Sequence, residues 1–276
     1  MSRYKKPILA FFCFTIIQLV VSFIVMIPMT LIVGAKQVAS GNSEILSDPD
    51  KVSSLIPSSM LAIVLVVSSL VSIFFMQKPM KMISLKDSFK MPTMPLGKTI
   101  GLIVVSFIGI YATNIFSELA ALPNLIEAEL GDMSKTFIGI LAIAVLGPIA
   151  EEVTFRGAIQ GHLHNNGETP WRAIFISSIL FGLIHLNPAQ IPFAMVVGAI
   201  LGVFYYKEKS LVIPCIIHIL NNGLSCLLTN VASEDASLVE LLGGTAIAVT
   251  LGIAGLALCG WVLYKYAVSK ETAEMA

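Results

Sequence analysis

Long apolar runs separated by short polar connections dominate this chain, and few folds accept that pattern. Most runs approach the roughly 20 residues that a helix needs to cross a bilayer. Charged residues sit mainly at the ends of the runs and make up only 12% of the chain, against 56% hydrophobic residues. A soluble domain carries about a quarter charged residues. In lipid every backbone polar group must be satisfied within the segment, so such runs become helices. The expected fold is an all-α polytopic membrane helix bundle, one integral-membrane domain over 1–276, with about eight transmembrane helices. No linker, repeat or low-complexity tract suggests a second domain. The four cysteines (Cys13, Cys215, Cys226, Cys259) lie inside apolar runs without metal-binding spacing and read as packing residues.

In order, the runs predict helices over about 7–33, 57–76, 99–122, 136–162, 171–186, 191–206, 211–228 and 241–266. The first run is too long for a signal peptide core and reads as a membrane helix. Residues 77–98, with Pro79, Pro92 and Pro95, read as a basic loop at the lipid surface. With both termini cytoplasmic, 14 of the 17 Lys and Arg fall inside, leaving Lys36, Lys51 and Lys135 outside. That split follows the positive-inside rule and favours an even number of helices.

Against this background the fourth run ends in Gly147-Pro148-Ile149-Ala150-Glu151-Glu152-Val153-Thr154-Phe155-Arg156. Carboxylates at membrane depth are costly and mark functional sites. Glu152 and Arg156, at i and i+4, are spaced to pair on one helix face. Glu151 points elsewhere and lacks a local countercharge. Pro148 predicts a kink or widening of the helix. Two further runs carry histidines: Phe181-Gly182-Leu183-Ile184-His185, and His218-Ile219-Leu220-Asn221-Asn222, in which His218 and Asn222 share a face. Buried polar groups must find one another or water, so Glu151, His185, His218 and Asn222 are expected to converge on one water-accessible chamber.

Two chemistries fit this set. In one, Glu151 is a general base that holds and deprotonates a water with His185, while His218 and Asn222 donate to the oxyanion. In the other, Glu151, His185 and His218 bind Zn²⁺, which activates the water. Both hydrolyse a polar bond within the membrane, and spacing alone does not separate them.

Glu151-Glu152-x-x-x-Arg156, Phe181-x-x-x-His185 and His218-x-x-x-Asn222, in this order on successive helices, resemble the motifs of the CPBP family. That family includes the type II CaaX prenyl endopeptidases and bacteriocin-processing or immunity proteins. The resemblance spans roughly 145–228, inside a motif-bearing core of about 136–228. It implies an intramembrane endopeptidase, glutamate-dependent or metallo type, with Glu151 and His185 on the water and His218 and Asn222 at the oxyanion. Glu152, Arg156 and Phe181 would support them. The small size and short loops suggest a multi-pass bacterial cell-membrane protein acting on a peptide or membrane protein amid membrane lipids. Nothing in the charge pattern points to nucleic acid. The competing readings are a transporter, since intramembrane Glu, His and Arg also mark ion pathways, and a non-catalytic immunity or scaffold protein. His162 and His164 form a weaker metal candidate, and Gly198-x-x-x-Gly202 permits close helix packing.

Overall fold

A computed structural model describes residues 2–42, 44, 47, 48, 51, 55–231 and 237–269. Eight principal helices follow the expected order: α1 (Ser2–Ala39), α2 (Ser58–Gln77), α3 (Leu96–Ala120), α4 (Phe137–Asn165), α5 (Pro170–Leu183), α6 (Gln190–Glu208), α7 (Val212–Val231) and α8 (Thr245–Val268). There is no strand among the described residues. All of these helices except α5 are long and apolar enough to cross a membrane. Outward-facing side chains such as Phe23, Ile24, Leu31, Phe74, Phe175 and Ile253 remain exposed. Lipid is the solvent that such a surface requires.

The differences from the expected helices have local causes. α1 is longer than the apolar run at both ends, with Pro7 and Pro28 inside it. α3 begins at Leu96 because Pro95 occupies its N-cap with extended backbone. The expected loop over 36–54 lies partly outside the described residues. The basic loop is docked against protein. It forms a short helix, Leu85–Ser88, capped by the Ser84 hydroxyl, and Met80, Met82, Ile83 and Leu85 pack into the core around Phe155. The Ser88 carbonyl accepts the Leu211 N–H at 2.7 Å, and the Lys90 carbonyl accepts the Ser210 hydroxyl at 2.7 Å.

α4 is the central element, in contact with α1, α2, α5, α6 and α7. It widens into π winding over Leu141–Leu146 and again over Val153–Gln160, on either side of Gly147–Glu152. Pro148 sits at the first junction. In the widened winding the Gly147 N–H reaches back to the Ala142 carbonyl, and Pro148 has no N–H to offer the Ile143 carbonyl. α7 supplies the missing donor: Asn222 Nδ2 bonds to Ile143 O at 3.0 Å. The proline therefore links the winding of α4 to the position of α7.

α6 meets α4 through its two small residues. A Cβ built on Gly198 would lie 3.2 Å from Arg156 Nη2 and 3.1 Å from Phe181 Cδ1. One built on Gly202 would lie 2.8 Å from Gln160 Oε1. Gln160 Nε2 donates to the Gly202 carbonyl at 2.8 Å. The glycine pair thus makes room for the buried polar row Glu152, Arg156 and Gln160 on α4.

Candidate active site

Each candidate side chain is held by an identifiable part of the fold. Glu152 and Arg156 are both fully buried, with Arg156 Nη1 2.9 Å from Glu152 Oε1. The guanidinium lies 4.2 Å over the Phe181 ring, and its Nε and Nη2 have no hydrogen-bond acceptor among the described residues. The ring face compensates part of that missing bonding. The same Glu152 oxygen lies 2.8 Å from His218 Nδ1. A carboxylate only accepts, so His218 carries a proton on Nδ1 and turns Nε2 the other way. That nitrogen stands 3.5 Å from Glu151 Oε2.

Glu151 and Glu152 differ in access to solvent. The Glu151 side chain keeps 21% of its exposure and Glu152 none, so of the two only Glu151 lines the cavity. His185 lies just beyond the C-terminus of α5. Fourteen residues span only about 21 Å of a roughly 30 Å hydrocarbon layer. The helix therefore ends at depth and presents His185 from a turn. Its Nδ1 donates to the Phe181 carbonyl at 2.8 Å, leaving the Nε2 lone pair free.

Irregular backbone at such depth needs protein or a polar cavity around it. Asn187, buried in the α5–α6 turn, provides it. Its Nδ2 donates to Asn124 Oδ1 at 2.7 Å, its Oδ1 accepts the Leu125 N–H at 3.1 Å, and the Ala189 N–H reaches the Pro123 carbonyl at 3.2 Å. In the sequence Asn187 reads only as a helix stop beside Pro188; its partners lie more than 60 residues away.

Glu151, His185, His218 and Asn222 line a single cavity of about 330 Å³, together with Phe181. Glu152 and Arg156 stand behind it. Asn222 is shared between the site and the scaffold, because its amide holds Ile143 O and its Oδ1 accepts from Asn221 at 3.1 Å. His162 and His164 lie at the far end of α4, away from this cavity, and the His164 ring packs edge-on against Tyr206. Cys13, Cys215, Cys226 and Cys259 are free thiols, as packing residues would be. Among the described residues no three His, Cys, Asp or Glu side chains are grouped closely enough to hold a metal ion.

Comparison with known proteins falls on the same stretch. Residues 133–224 match the family model described as Type II CAAX prenyl endopeptidase Rce1-like. The membrane-embedded CAAX protease MroQ of Staphylococcus aureus is 32% identical over 133 residues, covering 46% of this chain and 53% of MroQ. YdiL of Bacillus subtilis, named as a candidate membrane peptidase, is 28% identical over 83 residues, covering 30% of this chain and 34% of YdiL. The chain thus spans about half the length of the first of these relatives and a third of the second. No solved structure matches. The stretch matched by the family model carries all three motifs and every side chain of the cavity quartet, so the similarity to these proteases falls on the residues that form the cavity.

Proposed function

We propose that the protein is an intramembrane endopeptidase, glutamate-dependent in mechanism, that cleaves a peptide or membrane-protein substrate in the cavity beside Glu151. The observation that carries this reading is the meeting of Glu151, His185, His218 and Asn222, from separate segments of the chain, around one cavity. A water between Glu151 and His185 Nε2 gives its proton to the Glu151 carboxylate as its oxygen attacks the substrate carbonyl carbon. The carbonyl electron pair moves onto oxygen. His218 Nε2–H and the Asn222 amide donate to that oxyanion. Collapse of the tetrahedral intermediate breaks the C–N bond, and Glu151 returns the proton to the leaving nitrogen. His218 turns Nε2 to the cavity because Glu152 Oε1 holds its Nδ1 proton at 2.8 Å.

The test is hydrolysis of quenched-fluorescence peptides by purified protein in lipid nanodiscs. Glu151→Gln is expected to abolish cleavage while the protein stays folded, and chelation is expected to leave the wild-type rate unchanged. Wild-type rates in Glu151→Gln would overturn the assignment. Loss of bound metal and of activity together in His218→Ala would support the metallo mechanism instead.

The same reading includes orientation: both termini and the 77–98 loop are cytoplasmic, on the strength of the basic-residue split. A reporter fused at Lys86 is expected to score internal and one at Asn124 external. An external score at Lys86 would refute it.

A further inference from the structure

The cavity lining includes further polar side chains that the hydrolytic steps leave unused. Asn114 from α3, Gln190 from the start of α6 and Asn221 from α7 line the cavity together with Glu151 and His185. All three are partly exposed to the cavity. The Asn114 and Gln190 side chains have no hydrogen-bond partner among the described residues. Asn221 gives one N–H to Asn222 Oδ1 and keeps its own oxygen and second N–H. Three carboxamides from three helices therefore face one volume without satisfying one another.

A peptide entering this space brings an N–H and a C=O at each residue, and each costs free energy if left unpaired away from water. An extended substrate commonly meets those groups by adding to a sheet edge. This fold has no strand among its described residues to offer one. A carboxamide carries a donor and an acceptor side by side and so pairs with a peptide group in either direction. Being neutral, it does so without altering the charge balance around Glu151. The cavity, at about 330 Å³, lies at the small end of ligand sites and admits a short extended segment, not a folded domain.

We propose that Asn114, Gln190 and Asn221 form a backbone-reading subsite, which takes the peptide groups flanking the scissile bond in place of a sheet edge. The proposal rests on the endopeptidase reading above. Phe193, Ala194 and Val197, which follow Gln190 along the cavity-lining face of α6, are apolar and take the side chains, so recognition of polar groups falls on the main chain.

The experiment uses a quenched-fluorescence peptide that the wild-type protein cleaves, and a set of its analogues each carrying one N-methylated peptide nitrogen. Asn114→Leu and Gln190→Leu are each expected to raise KM about 3- to 10-fold, the scale of one neutral hydrogen bond, with kcat within about twofold. N-methylation at one position should raise the wild-type KM similarly. In the variant that lacks the matching amide the same methylation should add nothing, as a double-mutant cycle requires of a direct partner. Unchanged KM in both variants, no sensitivity to methylation anywhere, or additive effects throughout would each overturn the subsite and leave the endopeptidase reading standing. If the wild-type protein cleaves no peptide, that reading falls first and the subsite with it.

Discussion

Glu152 Oε1 lies 2.8 Å from His218 Nδ1 and 2.9 Å from Arg156 Nη1, so one buried oxygen joins the arginine of α4 to the histidine of α7. In the sequence Glu152 and Arg156 read as a self-contained helix pair. The histidine makes Glu152 a positioning residue as well, fixing which imidazole nitrogen faces the cavity.

Glu152→Gln keeps the volume and replaces the carboxylate that accepts the Nδ1 proton of His218 with an amide that can donate or accept. It is expected to lower kcat on the order of 10²-fold or more, as in other acid–histidine pairs whose proton placement is upset. Arg156→Ala should act on folding instead, because it leaves a buried carboxylate without its guanidinium at about 3–5 kcal/mol. Folded yield and denaturation midpoint measure that loss. A normally folded but inactive Arg156→Ala protein would point to a direct role in substrate binding.

Asn222 is a scaffold residue and the proposed oxyanion donor, and the two roles can be separated. Asn222→Ala removes an oxyanion donor, costing about 10²–10³ in rate. It also strips the Ile143 carbonyl of its donor, at about 1–3 kcal/mol. Pro148→Ala restores a backbone N–H to the same carbonyl. The double variant is therefore expected to regain part of the stability lost in Asn222→Ala and none of the rate. Equal thermal midpoints for the single and double variants would refute the link between the proline and α7.

The glycines of α6 give a packing test. Gly198→Ala would press against Arg156, Phe181 and Ser178, and Gly202→Ala against Gln160 and Ile174. Overpacking of this kind costs about 1–3 kcal/mol. Gly198→Ala is expected to reduce activity as well, because it displaces the guanidinium behind His218. Gly202→Ala should act mainly on stability. Gly101→Ala is the control, with open space around its added carbon.

Acid sensitivity should arise where α1 docks on the α4–α5 turn. The buried Glu168 accepts from the Tyr4 hydroxyl, with Arg3 Nη1 at 3.8 Å and Arg172 Nη1 at 3.5 Å. The Tyr4 hydrogen bond above all, and then the Thr169 N–H and the two guanidiniums, hold the Glu168 carboxyl below its usual range. A depressed carboxylate stabilises the fold above its unfolded pKa, about 4.3, and that contribution is lost as pH falls through the folded value. Protection of residues 2–6 from proteolysis should therefore fall below about pH 4 in the wild type. Glu168→Gln should show weaker protection at neutral pH and a flatter profile. An identical acid transition in that variant would locate the switch elsewhere.

His185 and Asn187 mark how far the sequence could be read. Hydropathy alone placed the eight helices, because a segment in lipid must satisfy its own backbone whatever its neighbours do. Spacing likewise paired Glu152 with Arg156, since i and i+4 on one helix are neighbours by geometry. The depth of His185 could not be counted along an ideal helix, because α5 ends early and hands the residue to a turn held by Asn124, 63 residues upstream of Asn187. The second partner of Glu152, the Asn222 bond to Ile143 and the shared cavity lining of Asn114, Gln190 and Asn221 are relations between helices. They depend on how those helices rotate and tilt against one another, and lipid, as apolar as the helix surfaces themselves, imposes no such orientation from outside. The closest packing and the pairing of buried polar groups select it, and both exist only once α4, α6 and α7 have met.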